Sequence, residues 1–178
     1  MHSDVLTFWF EELSSQQWWK KDSALDERIK IRFEGLHQQA SQCELYQWRN
    51  SAKGRLAEII VLDQFSRNMF RDTPQSFAQD SLALALSQQA ISVGADKQLN
   101  AIERTFLYMP FMHSESLLIH QQACLLYKEN GIDSNYQFEL QHLNIIEKFG
   151  RYPHRNNILQ RQSSAEEIKF LSQPNSSF

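Results

Sequence analysis

A chain of 178 residues with 42% apolar residues, among them 12 Phe and 4 Trp, has material for one core and is short for two, so a single domain over 1–178 is expected. Its 22% charged residues and formal net charge of -3 exclude the electrostatic footprint of a general nucleic-acid binder, and no nucleic-acid partner is expected. Cys43 and Cys124 stand alone without a CxxC, which fits thiols in a reducing compartment better than a disulfide framework.

The opening stretch MHSDVLTFWFEEL carries acids where an export signal needs positive charge. The longest apolar run, LAEIIVL, contains Glu58 and is far short of a membrane span. A cytoplasmic location with no membrane partner is expected.

Only 5 glycines and 4 prolines occur, and no window alternates β-branched and polar residues, so the expected fold is all-α. The spacing predicts a first helix from Val5 to Leu13. Leu25, Ile29, Phe33, Leu36 and Ala40 then line one face of a second, with Ser23 as its N-cap. AKGRLAEIIVLDQF, after Ser51, is apolar nearly all round and reads as central. Thr73 with Pro74 opens the next helix and Gly94 closes it, around a stripe of Ala78, Leu82, Ala85, Leu86 and Val93. Asn100 and Glu103 have capping-box spacing, and Pro110 marks that helix's end after Met109.

Further on, Ser114 caps a helix to Gly131 with Leu117, Leu118, Cys124 and Leu125 on a common side. From about Ser134, Phe138, His142, Ile145, Ile146 and Phe149 share a face, and Gly150 stops the helix. Ser164 with Glu167 opens a last helix carrying Ile168 and Leu171. The short joints imply an antiparallel stack of about eight or nine helices. No repeat near about 34 residues holds, so regular tetratricopeptide signals are absent.

Polar segments interrupt this pattern. LDQFSRNMFR, residues 62 to 71, brings Asp63, Gln64, Arg67, Asn68 and Arg71 out of a helix that otherwise reads as buried, where each must be satisfied. Asp63 and Arg67 are spaced to pair on the helix, either as a structural network or with Arg67 and Arg71 facing an anionic ligand. MHSES, residues 112 to 116, offers His113 and Glu115, the latter favoured by the positive end of the following helix. FGRYPHRN, residues 149 to 156, sets Arg151, His154, Arg155 and Asn156 around Pro153, with His142 on the inward stripe just upstream. The first and last segments are most simply satisfied by each other: Asp63 is expected to pair with Arg67, Arg151 or Arg155, with His113 or Glu115 at the edge. No phosphate-binding glycine loop, HExxH, nucleophile elbow or EF-hand loop is present, and neither a cofactor nor a metal site is indicated.

In this order, FWF and QWWKKD, LDQFSRNMFR, MHSES, FGRYPHRN and the ending EEIKFLSQPNSSF resemble the bacterial family called domain of unknown function 924. The resemblance spans about residue 5 to 178 and implies an all-helical fold of the tetratricopeptide-like α-α superhelix class. It points to the same polar positions and brings no activity with it. Ser66 stands where family members commonly carry proline. The tail SQPNSSF is frayed by composition, but its place in the resemblance implies that Phe178 or its carboxylate docks on the body.

The leading functional reading is a binding module whose polar cleft takes a small anionic molecule or a peptide terminus. The alternatives are a hydrolase, with or without a metal, using His113, Glu115, His142 and His154, and an interaction scaffold whose motifs only hold the fold. Nothing in the sequence specifies the oligomeric state.

Overall fold

The computed structural model describes residues 2–174 and 176, and among them every regular element is helical. The expected docking of Phe178 lies outside the described residues. The principal helices are α1 (His2–Thr7), α2 (Ser23–Ser41), α3 (Ala52–Ile60), α4 (Ser66–Met69), α5 (Asp80–Ser92), α6 (Ala101–Met112), α7 (Leu117–Asn130), α8 (Asp133–Phe149) and α9 (Ala165–Leu171). A π-helical turn, Phe8–Glu12, extends α1, and another, Val61–Phe65, joins α3 to α4 without a break. Among the described residues no helix is long and apolar enough to cross a membrane.

The α3–α4 segment runs through the centre, as its all-round apolar character requires. Leu56, Ala57, Ile59, Ile60, Val61, Leu62 and Phe65 are fully buried. Around Phe65 and Phe106 lie Phe8, Trp9 and Phe33, with ring centroids 4.8 to 6.0 Å apart. Each such side chain contributes on the order of 2 kcal/mol by leaving water, so this cluster fixes α1 and α2 against α3 and α6. Entry to α3 is equally constrained. Ser51 caps it by accepting from the Gly54 N–H, and a Cβ at Gly54 would lie 2.0 Å from the Trp48 carbonyl oxygen.

The end of the chain packs separately, with Ile145, Ile146 and Tyr152 buried together against Phe149 and Phe170. Gly150 ends α8 in the left-handed conformation at φ 67°, which turns the chain back toward α6.

Both expected capping boxes form, Asn100 with Glu103 and Ser164 with Glu167. Other expectations need correction. Asp22, not Ser23, caps α2, accepting from the Ala24 and Leu25 N–H groups. Pro74 starts a short 3₁₀ turn, Pro74–Phe77, that stops before α5. Helix α6 continues through Pro110 to Met112, because the missing N–H so near the end frees a single carbonyl while the His113 N–H still reaches Met109 O.

The inward faces of three helices also differ. α5 buries Ala83, Ser87 and Ala90 and exposes Val93. α7 buries His120, Ala123, Tyr127 and Asn130 and leaves Leu118 and Leu125 exposed. α8 buries Glu139 beside His142 and exposes Phe138. Ser87, the His120–Glu139 pair and Asn130 are hydrogen-bonded across helix interfaces, which outweighs the hydrophobic stripe.

Candidate functional site

The π turn supplies the first component. Widening the helix between α3 and α4 inserts Asp63 and Gln64 into the interior, and such turns recur at functional sites. Asp63 is completely buried, with Gln64 Nε2 donating to Oδ2 at 2.6 Å and Arg67 Nη1 to Oδ1 at 3.1 Å. His113 caps the C-terminal end of α6, and its Nδ1 lies 2.7 Å from the same Oδ1. Burial raises the Asp63 carboxyl, but the Arg67 charge and His113 overcome it and hold the group well below the usual carboxylate range.

An ionised Asp63 can only accept, so Nδ1 carries the proton and Nε2 of His113 bears the lone pair. Burial and the Arg67 charge push the imidazole below its ordinary value despite the pull of Asp63, so it is neutral at pH 7. Among the described residues no protein group hydrogen-bonds to Nε2. The side chain is 16% exposed at the wall of a cleft of about 350 Å³.

That cleft lies between the Pro74–Phe77 turn, α5, the end of α6 and the Pro153–Arg155 turn, with Phe77, Pro110 and Leu159 as apolar walls. Asp80 and Arg155 line it too. Both terminal nitrogens of Arg67 fork onto Asp80, at 2.9 and 3.0 Å. Arg155 reaches the same carboxylate only at 3.3 Å, donates to His113 O at 2.9 Å, and has a buried Nε without a partner. Its guanidinium sits 4.6 Å from the centres of both the Phe77 and Tyr152 rings. Burial and the neighbouring Arg67 charge lower its pKa, with Asp80 and Glu115 opposing.

Asp63 pairs Arg67 with His113 beside them, as expected, but the first and last polar segments are not satisfied by each other: they meet only through Asp80, which accepts from both Arg67 and Arg155. Glu115 stands next to the cleft, accepting the Tyr152 N–H at 2.8 Å and held by Arg161 at 2.6 and 2.9 Å. Burial raises its carboxyl, and Arg161 and that backbone donor bring it below the ordinary value.

Several candidates lie elsewhere. Asn68 and Arg71 both bind Asp26 on α2, so Arg71 faces no shared pocket with Arg67. Arg151 forks onto Glu167 of α9, drawing that carboxyl down to about 2, and Asn156 joins Arg161 to Ser163. His142 Nδ1 donates to Phe138 O within its own helix and, like His154, the ring flanks Tyr152; burial pushes both histidines down to about 3. Among the described residues no group of His, Cys, Asp or Glu is arranged to hold a metal ion.

Asp80, Phe77, Tyr152 and Arg161 were not singled out by sequence. Asp80 opens α5 in the structure, whereas the sequence reading started that helix at Pro74 and so placed Asp80 in its interior. A further buried pair, His120 with Glu139 at 2.7 Å, lies behind Tyr152, whose hydroxyl contacts His120 Nε2 at 3.1 Å.

Fold and site together describe an all-helical protein with a buried carboxylate–imidazole pair opening on a small cleft. The chain belongs to the family described as bacterial protein of unknown function, DUF924, whose model matches residues 5–175. It is similar to a solved structure, a protein of unknown function, ATU0120, from Agrobacterium tumefaciens, at 37% identity and a TM-score of 0.92 over 96% of each chain. No curated protein matches it.

Proposed function

We propose that the protein binds a small anionic molecule, or the carboxylate of a peptide terminus, in the cleft beside Arg155 and His113. One observation carries this reading. Arg155 lines the cleft and is 8% exposed, and its carboxylate partner is already taken bidentately by Arg67, so its terminal N–H groups are not all committed to protein acceptors. A ligand carboxylate matches the geometry of such a fork. A cleft of about 350 Å³ suits a metabolite-sized ligand or a single terminal residue. The tetratricopeptide-like relationship of the helix stack is part of the same reading and favours a peptide end among the candidates.

Calorimetric titration with succinate, inorganic phosphate and a short peptide tests it, with Arg155→Gln as the control. Binding of at least one anion is expected, weakened more than about tenfold in the variant, or about 1.4 kcal/mol. The local charges also favour a scaffold reading, since Arg67 and Arg155 balance Asp63 and Asp80. On that view Arg155→Gln lowers the melting temperature and no anion binds either form.

A further inference from the structure

We infer that His113, oriented by Asp63, is a catalytic base that activates water against small carboxylic esters bearing a second, acidic group held by Arg155. This deepens the anion-binding reading and rests on it.

The geometry supplies each requirement. A general base needs a defined tautomer, a fixed ring and an open lone pair. Asp63 gives the first two through the 2.7 Å bond to Nδ1, and is itself locked by Gln64 and Arg67. The third is Nε2: His113 lines the cleft, and no protein group among the described residues hydrogen-bonds to that nitrogen. No described hydroxyl or thiol hydrogen-bonds to Nε2, so the nucleophile is water.

Arg155 is tied to the backbone of the same residue through His113 O at 2.9 Å, which holds the cation and the base on one wall. The Ser114 hydroxyl also lines the cleft. It accepts from the Ser116 N–H at 3.1 Å and so keeps its own proton to donate to a carbonyl oxygen. A carbonyl substrate develops a single negative charge, which suits a site whose other cations are committed to protein carboxylates.

In the step, Nε2 takes a proton from water as the water oxygen bonds to the acyl carbon, and the carbonyl π pair moves onto oxygen. On collapse the C–O bond to the alcohol breaks, and the proton on Nε2 passes to the leaving oxygen. Ester and water become acid and alcohol, and His113 returns to its neutral form.

The test uses mono-p-nitrophenyl succinate, with p-nitrophenyl acetate as the ester that lacks a carboxylate. Wild type is expected to release p-nitrophenolate at least about 100-fold faster than His113→Gln, the lower range for general-base catalysis. Its kcat/KM should fall on the acid side as His113 is protonated. Arg155→Gln should raise KM for the succinyl ester by a larger factor than for the acetyl ester.

Equal rates for wild type and a folded His113→Gln overturn the base assignment; if succinate still binds by calorimetry, the binding reading survives alone. Hydrolysis that depends on His113 but not on Arg155, with no succinate binding, overturns the anion reading instead. Should His113→Gln not fold, carbethoxylation of wild type with diethyl pyrocarbonate decides. Modification of His113 in step with loss of activity supports the base, and full activity after His113 is modified overturns it.

Discussion

Asp63 and His113 are 50 residues apart in sequence, yet the carboxylate Oδ1 and the imidazole Nδ1 meet at 2.7 Å. Asp63 also accepts from Gln64 and Arg67 on its own helical segment, whereas the His113 imidazole finds its partner across the helix interface. The π turn carries Asp63 into the interior, and His113 reaches it from the C-terminal cap of α6.

Removing the carboxylate leaves Arg67 and His113 facing a buried gap. Asp63→Ala is expected to cost about 3–5 kcal/mol, the usual loss when one member of a buried ion pair is deleted. The exposed acid Glu129, changed to alanine, should stay within about 0.5 kcal/mol of wild type. Urea unfolding of both variants checks this, and similar midpoints would mean that Asp63 is not buried against its partners.

Much of this arrangement was legible in the sequence. Capping residues and Gly150 marked helix ends, since they encode local geometry. Asp63 and Arg67 could be paired from their spacing alone. The pairing of Arg71 with Asp26 could not, because no local pattern encodes contacts between distant helices. The buried face of α7 and the burial of Glu139 on α8 were missed for a related reason, whereas His142, Ile145 and Ile146 are buried as the spacing implied. His120 and Glu139 are inside because they satisfy each other, and hydrophobicity carries no signal for that.

Anion binding should be linked to proton uptake. His113 is faced by Asp63 from the π turn, Arg67 from α4, Asp80 from α5 and Arg155 from the Pro153–Arg155 turn, and its pKa lies below the ordinary value. A carboxylate added at Arg155 brings negative charge nearby, favouring the imidazolium and raising that pKa. Succinate affinity should therefore increase as pH falls from 7 toward 5. Calorimetry in buffers of different ionisation enthalpy should register protons taken up by wild type and fewer by His113→Gln. Equal uptake by both forms would count against the linkage.

Stability should fall with acidification before carboxylates titrate. Burial holds His142 down to about 3 in the folded protein, against an ordinary value of 6.5. Between those values the unfolded chain binds a proton that the folded chain does not, so stability declines as pH drops through this window. At pH 5 the loss from this single group is roughly 2 kcal/mol. Glu139 acts with the opposite sign above 4.5, because burial raises its carboxyl. The drop in unfolding free energy from pH 7 to pH 5 should be smaller in His142→Gln by about that 2 kcal/mol. An unchanged drop would show that His142 titrates normally.

Gly54 allows α3 to start directly against the 3₁₀ turn Tyr46–Asn50. A methyl group there would meet Trp48 O at 2.0 Å and Trp48 C at 2.8 Å, both backbone atoms with no side-chain freedom to yield. Gly54→Ala therefore displaces the turn, although alanine favours helix elsewhere. A loss of more than about 2 kcal/mol is expected by comparison with core overpacking, and Gly35→Ala, at a helical site with open space, is the control. Equal stability of the two variants would refute the close approach.

Tyr152 joins the cleft to the buried pair behind it. Its hydroxyl donates to Met112 O at 2.5 Å and lies 3.1 Å from His120 Nε2, while its ring supports the Arg155 guanidinium. His120 Nε2 also faces Ser114 O at 2.8 Å, so that nitrogen carries a proton and keeps a partner if the hydroxyl is lost. Met112 O loses its side-chain donor. Tyr152→Phe is therefore expected to cost about 1–3 kcal/mol, as for other unsatisfied buried groups, with the aromatic support of Arg155 intact. Tyr152→Leu removes that support as well and should weaken succinate binding, which Tyr152→Phe should leave within about twofold. If Tyr152→Phe weakens binding as much as Tyr152→Leu, the hydroxyl, not the ring, is what positions Arg155.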